Sequence, residues 1–137
     1  MVPDTLSMKG EEMMYPSVFV DPMIDLNSIN VVSVIVVFRT PPASSAVAHA
    51  KMAGVPLTLE QAEQDVKESH HRFQRDVKRY LESAHIPYKI TNTYSSALNG
   101  VAMSLPAVAI RQLLHSPEIQ SIHANKEISL DPPMSPR

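Results

Sequence analysis

The clearest pattern along the chain is a run of β-branched and apolar residues, Val31 to Arg39, which predicts a strand. The run is so uniformly apolar that we expect a central strand, buried over most of its length. Pro41-Pro42 ends it, because proline has no N–H to donate to a neighbouring strand. The Ala-rich stretch that follows, Ala43 to Gly54, fits either a short helix ended by Gly54 or a long connection.

A helical pattern comes next. Thr58, with Gln61 three residues later, is typical of a capping box, and Pro87 is expected to end the helix that begins there. Spacings of three and four keep one set of mostly apolar residues on a single face. This face consists of Leu59, Ala62, Val66, His70, Phe73, Val77, Tyr80 or Leu81, and Ala84. The other face carries the charged side chains and is expected to face solvent.

The second half of the chain predicts two strands joined by a tight turn. The strands are Tyr88 to Ala97 and Val101 to Leu105, and Leu98-Asn99-Gly100 lies between them. Asn-Gly is the strongest short-range signal for a hairpin turn, because both residues tolerate positive φ at low cost. The sequence therefore predicts that Asn99 and Gly100 form the turn of a β-hairpin.

A second helix and a last strand complete the pattern. Pro106 is suited to the first position of a helix, where its missing N–H costs nothing, and this helix is expected to reach about His115. Its buried face would hold Ala107, Ile110, Leu113 and Leu114. Ile119 to Ala124 predicts the last strand, with Ile119 and Ile122 in the core.

The predicted order is β-α-β-β-α-β, which indicates an α+β ferredoxin-like domain with an antiparallel sheet and both helices on one face. The opposite face of the sheet would then be bare and suited to docking. We divide the chain into an N-terminal extension (1–30), with residues 1–15 mobile and 18–20 compatible with a short extended piece, a folded domain (31–125) and a tail (126–137). The tail carries three prolines in its last seven residues, which favours an extended path.

Composition excludes several classes of function. The 137 residues suit one domain, and aromatic residues make up only 5%, so the core must be aliphatic. A formal net charge of −2 provides no basic field for nucleic acid or an anionic membrane. With no cysteine, disulfides and thiol chemistry are excluded. The longest apolar run is also too short to span a bilayer.

Candidate chemistry is sparse. Six histidines are present, but the adjacent His70 and His71 point about 100° apart on a helix, so they cannot face one metal ion. We expect His70, on the apolar face, to be a core or boundary residue satisfied by a backbone carbonyl. No Gly-x-Ser-x-Gly elbow, P-loop or dinucleotide fingerprint occurs. We therefore expect no metal, no cofactor and no enzymatic activity from this chain alone.

Three stretches together resemble a known family. They are Val-Ser-Val-Ile-Val-Val-Phe (32–38), Tyr94 through Asn99-Gly100-Val101-Ala102-Met103-Ser104-Leu105, and Ile110 through Leu113-Leu114-His115-Ser116-Pro117-Glu118-Ile119. In order and spacing they are similar to the prosegment, or propeptide inhibitor, domain of subtilisin-like serine proteases. Within that family the likeness is greatest to the prosegments of the minor extracellular proteases of bacilli. The family's fold is the ferredoxin-like one indicated above.

The resemblance implies a function. Such prosegments act as intramolecular chaperones of their protease and then inhibit it, with the bare sheet face docked on the enzyme and the C-terminal tail lying substrate-like in the active-site cleft. It also implies a precursor that is a secreted protease, extracellular or associated with the cell wall. The residues expected to dock are Tyr94, Leu98, Asn99, Gly100, His123, Asn125 and Glu127. The inhibitory tail would include Ile128, Ser129, Leu130, Asp131 and Met134.

The sequence departs from the family pattern at one point. Acidic residues of the family that cap helix N-termini on the enzyme correspond here to His123 and Asn125. Asn125 can still accept a backbone N–H, whereas His123 supplies no fixed negative charge, and Glu127 is close enough to substitute. Bonds preceding proline are poor protease substrates, so the candidate residues before the cleaved bond are Leu130, Met134 or a residue beyond Arg137 in a longer precursor.

Two other functions remain open at the level of sequence. One is a stand-alone inhibitor that acts in trans on another protein's protease. The other is a small-molecule-binding regulatory module of the same fold, with its ligand at a dimer interface. A homodimer through the bare face is a further expectation for the isolated domain.

Overall fold

The computed structural model describes residues 17–125. The predicted mobility of the first 15 residues and the predicted path of the tail lie outside this range. The strands are β1 (Phe19–Val20), β2 (Val31–Phe38), β3 (Lys89–Tyr94), β4 (Gly100–Pro106) and β5 (Ile119–Ala124). The helices are α1 (Ala43–Ala53), α2 (Leu59–Tyr80) and α3 (Ile110–Leu113), and 3₁₀ turns occupy Glu82–Ala84 and Ala107–Ala109.

The strands form one sheet in the order β1-β5-β2-β4-β3. Pairing is antiparallel between β2 and β4, β2 and β5, and β3 and β4. The α+β, ferredoxin-like prediction is confirmed. The structure has one strand more than predicted. This strand, β1, pairs in parallel with β5, so the sheet is mixed rather than purely antiparallel. The predicted short extended piece at residues 18–20 is this strand.

The core lies between one face of the sheet and the helices. Val34, Val36 and Phe38 of β2 point to this side, and the Phe38 ring contacts Phe73 of α2 at 4.8 Å between centroids. Most of the other core residues come from β4, α3 and β5, among them Val101, Met103, Leu105, Ile110, Leu113, Ile119 and Ile122. Because no aromatic beyond these two phenylalanines is fully buried among the described residues, the core is aliphatic, as composition predicted.

β2 is central in the sheet, as predicted, but its burial alternates. Val34, Val36 and Phe38 are inaccessible to solvent, whereas Ile35 and Val37 are only half-buried. The prediction that β2 is buried over most of its length was therefore wrong for the face that carries Ile35 and Val37. A uniformly apolar run usually signals burial on both faces, and here one face has no covering layer in the described part of the chain.

Helix α2 begins as predicted and ends earlier. The Thr58 side chain accepts the N–H of Gln61 and the Gln61 side chain accepts that of Thr58, which completes the capping box. The helix stops at Tyr80 rather than continuing to Pro87, because His85 takes a left-handed conformation (φ 60°) and the Ile86 N–H bonds back to the carbonyl of Leu81. This closing turn places Leu81 in the core.

The two remaining helices differ from each other in how well the sequence predicted them. For the Ala-rich stretch, the helix is the correct alternative: α1 ends at Gly54, whose φ of 73° satisfies the last turn. The second predicted helix is much shorter than expected. Pro106 belongs to β4, the chain then makes a 3₁₀ turn, and α3 contains only four residues, although Ala107, Ile110 and Leu113 are buried as predicted.

The predicted Asn-Gly turn was wrong. Neither Asn99 nor Gly100 has a positive φ, and the connection between β3 and β4 consists of residues 95–99. Gly100 is already the first residue of β4, opposite Val37. A Cβ atom on Gly100 would lie 2.0 Å from the carbonyl oxygen of Val36, so glycine is required there by the close approach of two strands.

Candidate functional site

The face of the sheet that points away from the helices is the candidate site, and we call it the open face. Strand register places together Ser33, Ile35 and Val37 of β2, Gly100, Ala102 and Ser104 of β4, Ser121 and His123 of β5, and Phe19 of β1. None of these residues belongs to the aliphatic core cluster, although Gly100 and Ala102 are themselves buried. Phe19 is 53% exposed and Val31, at the start of β2, is 66% exposed.

The open face is suited to contact with another protein surface. Its central residues on β2 and β4 are small or β-branched, and the edge strand β3 adds Lys89 and Asn92, which lie opposite Ser104 and Ala102. The Phe19 ring lies 5.5 Å from the His123 ring, and His123 Nε2 is 2.8 Å from Ser121 Oγ. A surface with few charged side chains and one aromatic pair is low in desolvation cost and favours recognition by apolar contact more than by charge.

Asn99 lies beneath this surface rather than on it. Its side chain is 1% exposed, and its Nδ2 donates to the Thr40 carbonyl and to Ser69 Oγ, both at 2.9 Å. Its Oδ1 is 2.8 Å from His70 Nε2, which is also 3.1 Å from the Tyr94 carbonyl. Both neighbours of this ring nitrogen are acceptors, so Nε2 carries the proton. The expectation of a backbone carbonyl partner for His70 is confirmed.

The first four residues expected to dock thus have different positions. Asn99 and Gly100 are buried, so neither residue offers a side chain for direct contact with a partner. Tyr94 and Leu98 are half-buried, and Tyr94 pairs with Gly100 at the end of β3. Asn99 acts instead as an internal support that ties the β3–β4 connection to α2 and to the end of β2.

The other candidates cluster where β5 ends. His123 is half-buried on the open face, and Asn125 follows β5 directly. The N–H of Asn125 donates to the Ser33 carbonyl at 3.0 Å, and its Nδ2 is 3.3 Å from Ser33 Oγ. Within residues 17–125 the Asn125 Oδ1 has no hydrogen-bond partner and can accept one. Glu127 and the tail residues Ile128, Ser129, Leu130, Asp131 and Met134 lie outside the described residues.

A second polar cluster holds the beginning of β5. Glu118 is 7% exposed, and its Oε1 accepts from Arg72 Nε at 2.9 Å. Its Oε2 accepts from Thr40 Oγ1 at 2.9 Å. These contacts join β5 to α2 and to the end of β2 on the side of the sheet that the helices cover. We read the cluster as structural, because a buried carboxylate with these partners is satisfied.

Two residues near the candidate site were missed by the sequence interpretation. Phe19 adds an aromatic ring to the open face, and the Asp21 carboxylate accepts the Ala124 N–H at 3.0 Å, next to the point where the tail begins. The only signal for them was the short apolar piece at residues 18–20. Its pairing partner, β5, is about a hundred residues away in the chain, so no local pattern identifies it.

The structure contains one groove of note away from the open face. It has a volume of about 770 Å³ and lies beside the edge strand β3, between the start of α1, one side of α2 and the β3–β4 connection. Its lining is mixed, with Lys67, Glu63 and His71 beside Val66 and Leu59. No three His, Asp or Glu side chains converge as metal ligands between residues 17 and 125. Over the same range, no helix is long and apolar enough to cross a membrane.

Comparisons with known proteins agree with this geometry. The family model described as Peptidase inhibitor I9, the propeptide inhibitor of subtilisin-like proteases, matches residues 33–131. It therefore covers most of β2, the elements from there to β5 and the first residues of the tail. No curated protein matches the chain, so the finer likeness to the minor extracellular proteases of bacilli stays a prediction. The chain belongs to the peptidase inhibitor I9 family and is an inhibitor domain of the subtilisin-propeptide type.

Proposed function

We propose that this domain inhibits a subtilisin-like serine protease by docking its open face on the catalytic domain and laying its C-terminal tail in the active-site cleft. The observation that carries the proposal is the contrast within one sheet. One face is sealed by helices, and the other carries few charged side chains and is partly exposed in the described residues. Family membership identifies the kind of partner, and the open face provides the surface to meet it.

The position of Asn125 supports the docking orientation. A helix N-terminus on the protease has N–H groups without partners and attracts acceptors. Asn125 is fixed against Ser33 by two hydrogen bonds, which leaves its Oδ1 able to accept such an N–H. His123 is engaged by Ser121 and Phe19, so we assign it to packing on the partner rather than to capping. Glu127, two residues beyond Asn125, is a second candidate acceptor.

The tail completes inhibition. Because β5 leads directly into residue 126, a tail that continues in extended form carries residues 128–134 away from the sheet, toward the cleft of a docked enzyme. Pairing of the tail with the enzyme as an added strand supplies main-chain hydrogen bonds, and Leu130 or Met134 would occupy the position before the cleaved bond. After cleavage the tail stays bound as a product.

We further propose that the domain acts in cis, as a prosegment that assists the folding of a secreted protease related to the minor extracellular proteases of bacilli. This part of the proposal relies on the family and on the three sequence stretches. An inhibitor that acts in trans would use the same face and tail. The family assignment favours either of these over the small-molecule regulatory module.

The direct test is inhibition of peptide hydrolysis by a panel of subtilisins with the full 137-residue chain. Three variants locate the determinants. In the first, residues 126–130 are replaced by a Gly-Ser sequence of equal length. In the second, Ile35→Asp places a charge in the middle of the open face. In the third, Met52→Asp makes the same kind of change at a position on α1 that is 86% exposed and remote from the open face.

We expect tight inhibition by the unmodified chain, and a loss of at least tenfold for both the tail replacement and Ile35→Asp, since each removes part of the contact. Met52→Asp should change inhibition less than twofold. Equal effects of Ile35→Asp and Met52→Asp would contradict docking through the open face. A folded wild-type chain that inhibits no subtilisin would refute the proposed function.

The choice between action in cis and in trans needs a second measurement. A catalytic domain that belongs with this prosegment should regain activity from denaturant only when the chain is added. A mature protease that refolds equally well without the chain, and is still inhibited by it, would indicate a stand-alone inhibitor. The yield of active enzyme, measured after degradation of the added chain, separates the two.

A further inference from the structure

Strand β1 is an addition to the inhibitor domain. The family match begins at residue 33, so Phe19–Val20 lie outside it. β1 nevertheless pairs in parallel with β5, with Phe19 opposite Ser121 and Val20 opposite Ile122. It therefore occupies the outer edge of the strand from which the tail departs, an edge that would otherwise expose unpaired backbone groups.

The residue after β1 makes the closest connection to the tail. The N–H of Asp21 donates to the Ile122 carbonyl at 2.8 Å. The two carboxylate oxygens of Asp21 then accept separate N–H groups: Oδ2 accepts that of Ala124 at 3.0 Å, and Oδ1 accepts that of Met23 at 3.0 Å. Asp21 thus binds the last residue of β5 and at the same time stabilises its own turn.

The chain is held from the other side at the next residue. Asn125 donates its backbone N–H to the Ser33 carbonyl of β2 at 3.0 Å. Successive N–H groups, those of Ala124 and Asn125, therefore point to opposite edges, and each has a partner there. The backbone is fixed on both sides up to the last described residue before the tail.

We propose that residues 17–21 form a clamp that sets the direction in which the inhibitory tail leaves the sheet, with Asp21 as its positioning residue. The destination of the tail rests on the proposed function. An extended peptide binds a cleft more tightly when its conformation is already set, because less entropy is lost on binding. Asp21 touches neither the enzyme nor the cleaved bond and acts through Ala124.

A matched pair of substitutions isolates this role. In Asp21→Asn, only one side-chain oxygen remains to accept the N–H groups of Met23 and Ala124. The new amide N–H₂ group faces one of these two donors and cannot accept from it. In Asp25→Asn the single accepted bond, from the Asn27 N–H to Asp25 Oδ1 at 3.0 Å, can persist. Both variants remove one negative charge from the same segment. Any difference between them therefore reflects the contacts of the Asp21 carboxylate and not the loss of one negative charge, and exchange at Ala124 tests the bond to that residue directly.

The first readout needs no protease. Hydrogen exchange of the Ala124 N–H, followed by NMR in the full-length chain, should be about tenfold faster in Asp21→Asn than in the unmodified chain or in Asp25→Asn, since that N–H loses its acceptor. Unchanged exchange at Ala124 would overturn the clamp. If circular dichroism finds Asp21→Asn unfolded, Asp21→Ser replaces it, because serine can keep the Met23 bond without reaching Ala124.

The second readout is inhibition, measured in chains with the native tail and in chains whose residues 126–130 are replaced by the Gly-Ser sequence. With the native tail, Asp21→Asn should weaken inhibition about tenfold and Asp25→Asn less than twofold. With the replaced tail, both should be within twofold of their parent, because Asp21 then has no tail to orient. Equal weakening by Asp21→Asn in both backgrounds would overturn the positioning role.

The two readouts separate failure of the clamp from failure of the proposed function. Absence of inhibition by the unmodified chain would refute the function, and exchange at Ala124 would still decide whether the clamp exists. Inhibition by the unmodified chain together with identical behaviour of Asp21→Asn and Asp25→Asn would refute the clamp alone.

Discussion

The two faces of the sheet are built from similar residues but have different physical roles. On β2, Val34, Val36 and Phe38 point to one face and are inaccessible, whereas their neighbours Ile35 and Val37 point to the other and are half-exposed. The difference arises from the covering layer, since α2 and α3 pack on only one side. An apolar strand in this fold therefore divides its residues between a covered face that contributes most to stability and an open face that stays accessible to a partner.

The largest effect on stability is expected on the covered face. Phe73→Ala removes a ring that is fully buried against Phe38, and it should lower the free energy of unfolding by about 3–5 kcal/mol through lost burial and a residual cavity. Urea denaturation measures this change. A loss below about 1 kcal/mol would mean that the helix layer is not what stabilises the sheet.

The next largest effect is expected where the β3–β4 connection meets the helix layer. Asn99→Ala leaves Thr40, Ser69 and His70 without their shared partner, and it should cost about 2–3 kcal/mol. Asn92→Ala, at an exposed position of β3, serves as the control and should change the free energy of unfolding by less than about 0.5 kcal/mol. Similar values for the two variants would contradict the buried network.

Gly100 tests the close approach of β2 and β4. Gly100→Ala places a Cβ against the Val36 carbonyl and should cost about 1–3 kcal/mol through forced separation of the strands. Gly54→Ala is the comparison, because its Cβ would meet no atom and only the positive φ opposes it, at about 1 kcal/mol. Thermal unfolding of both variants would reveal which glycine is more critical, and a larger loss at Gly54 would contradict the packing argument.

A smaller loss of stability is expected on the open face. Ile35→Ala should lower the free energy of unfolding by about 1 kcal/mol, because the side chain is only half-buried before a partner binds. Val36→Ala, one residue along on the covered face, removes less volume but should cost more. Denaturation of the two variants in parallel measures the contrast directly. A larger loss of stability for Ile35→Ala than for Val36→Ala would contradict the distinction between the two faces.

The smallest effect concerns Tyr88, at the margin of the covered face. Burial, followed by the hydrogen bond to Glu82 and the negative charge of that carboxylate, raises the pKa of Tyr88 to about 12 from its ordinary value of 10.0. The neutral phenol is the form that the fold favours. The contribution of this neutral phenol to the free energy of unfolding is complete below pH 10 and is lost as the pH rises from 10 to about 12.

Urea denaturation at several pH values between 9 and 12 measures this pH dependence of stability. The unmodified chain should lose stability more steeply above pH 10 than Tyr88→Phe, and Glu82→Gln should reduce the difference by removing the charge that opposes phenolate formation. Parallel pH profiles for the unmodified chain and Tyr88→Phe would contradict a raised pKa for Tyr88 in the folded protein.

Several features of the fold and the candidate site were predictable from the sequence. The capping box at Thr58 and the strand at Ile119–Ala124 depend on residues close together in the chain, whereas for the stretch that ends at Gly54 the sequence left a helix and a long connection open. The position of His70 on the apolar face of the predicted helix was also sufficient to predict a boundary residue with a carbonyl partner. The order of these elements was sufficient to predict the ferredoxin-like arrangement, and with it the existence of an uncovered face.

The features that were mispredicted depend on contacts between distant residues. Asn99-Gly100 has the local chemistry of a turn, yet Asn99 is drawn inward by Thr40 and Ser69, and Gly100 is required by the closeness of Val36. In each case burial and hydrogen bonding across the fold outweigh a local preference, which is worth about 1 kcal/mol or less per residue.

The sequence by itself determined the class of this protein: the alternation of strands and helices, the aliphatic core and the family to which residues 33–131 belong. Only the tertiary structure decided which apolar residues remain at the surface, and that β1 and Asp21 hold the end of β5. Asp21 and Ala124 are separated by 103 residues. Local patterns report the energetics of near neighbours, whereas the clamp and the open face come into being only when distant strands are brought side by side.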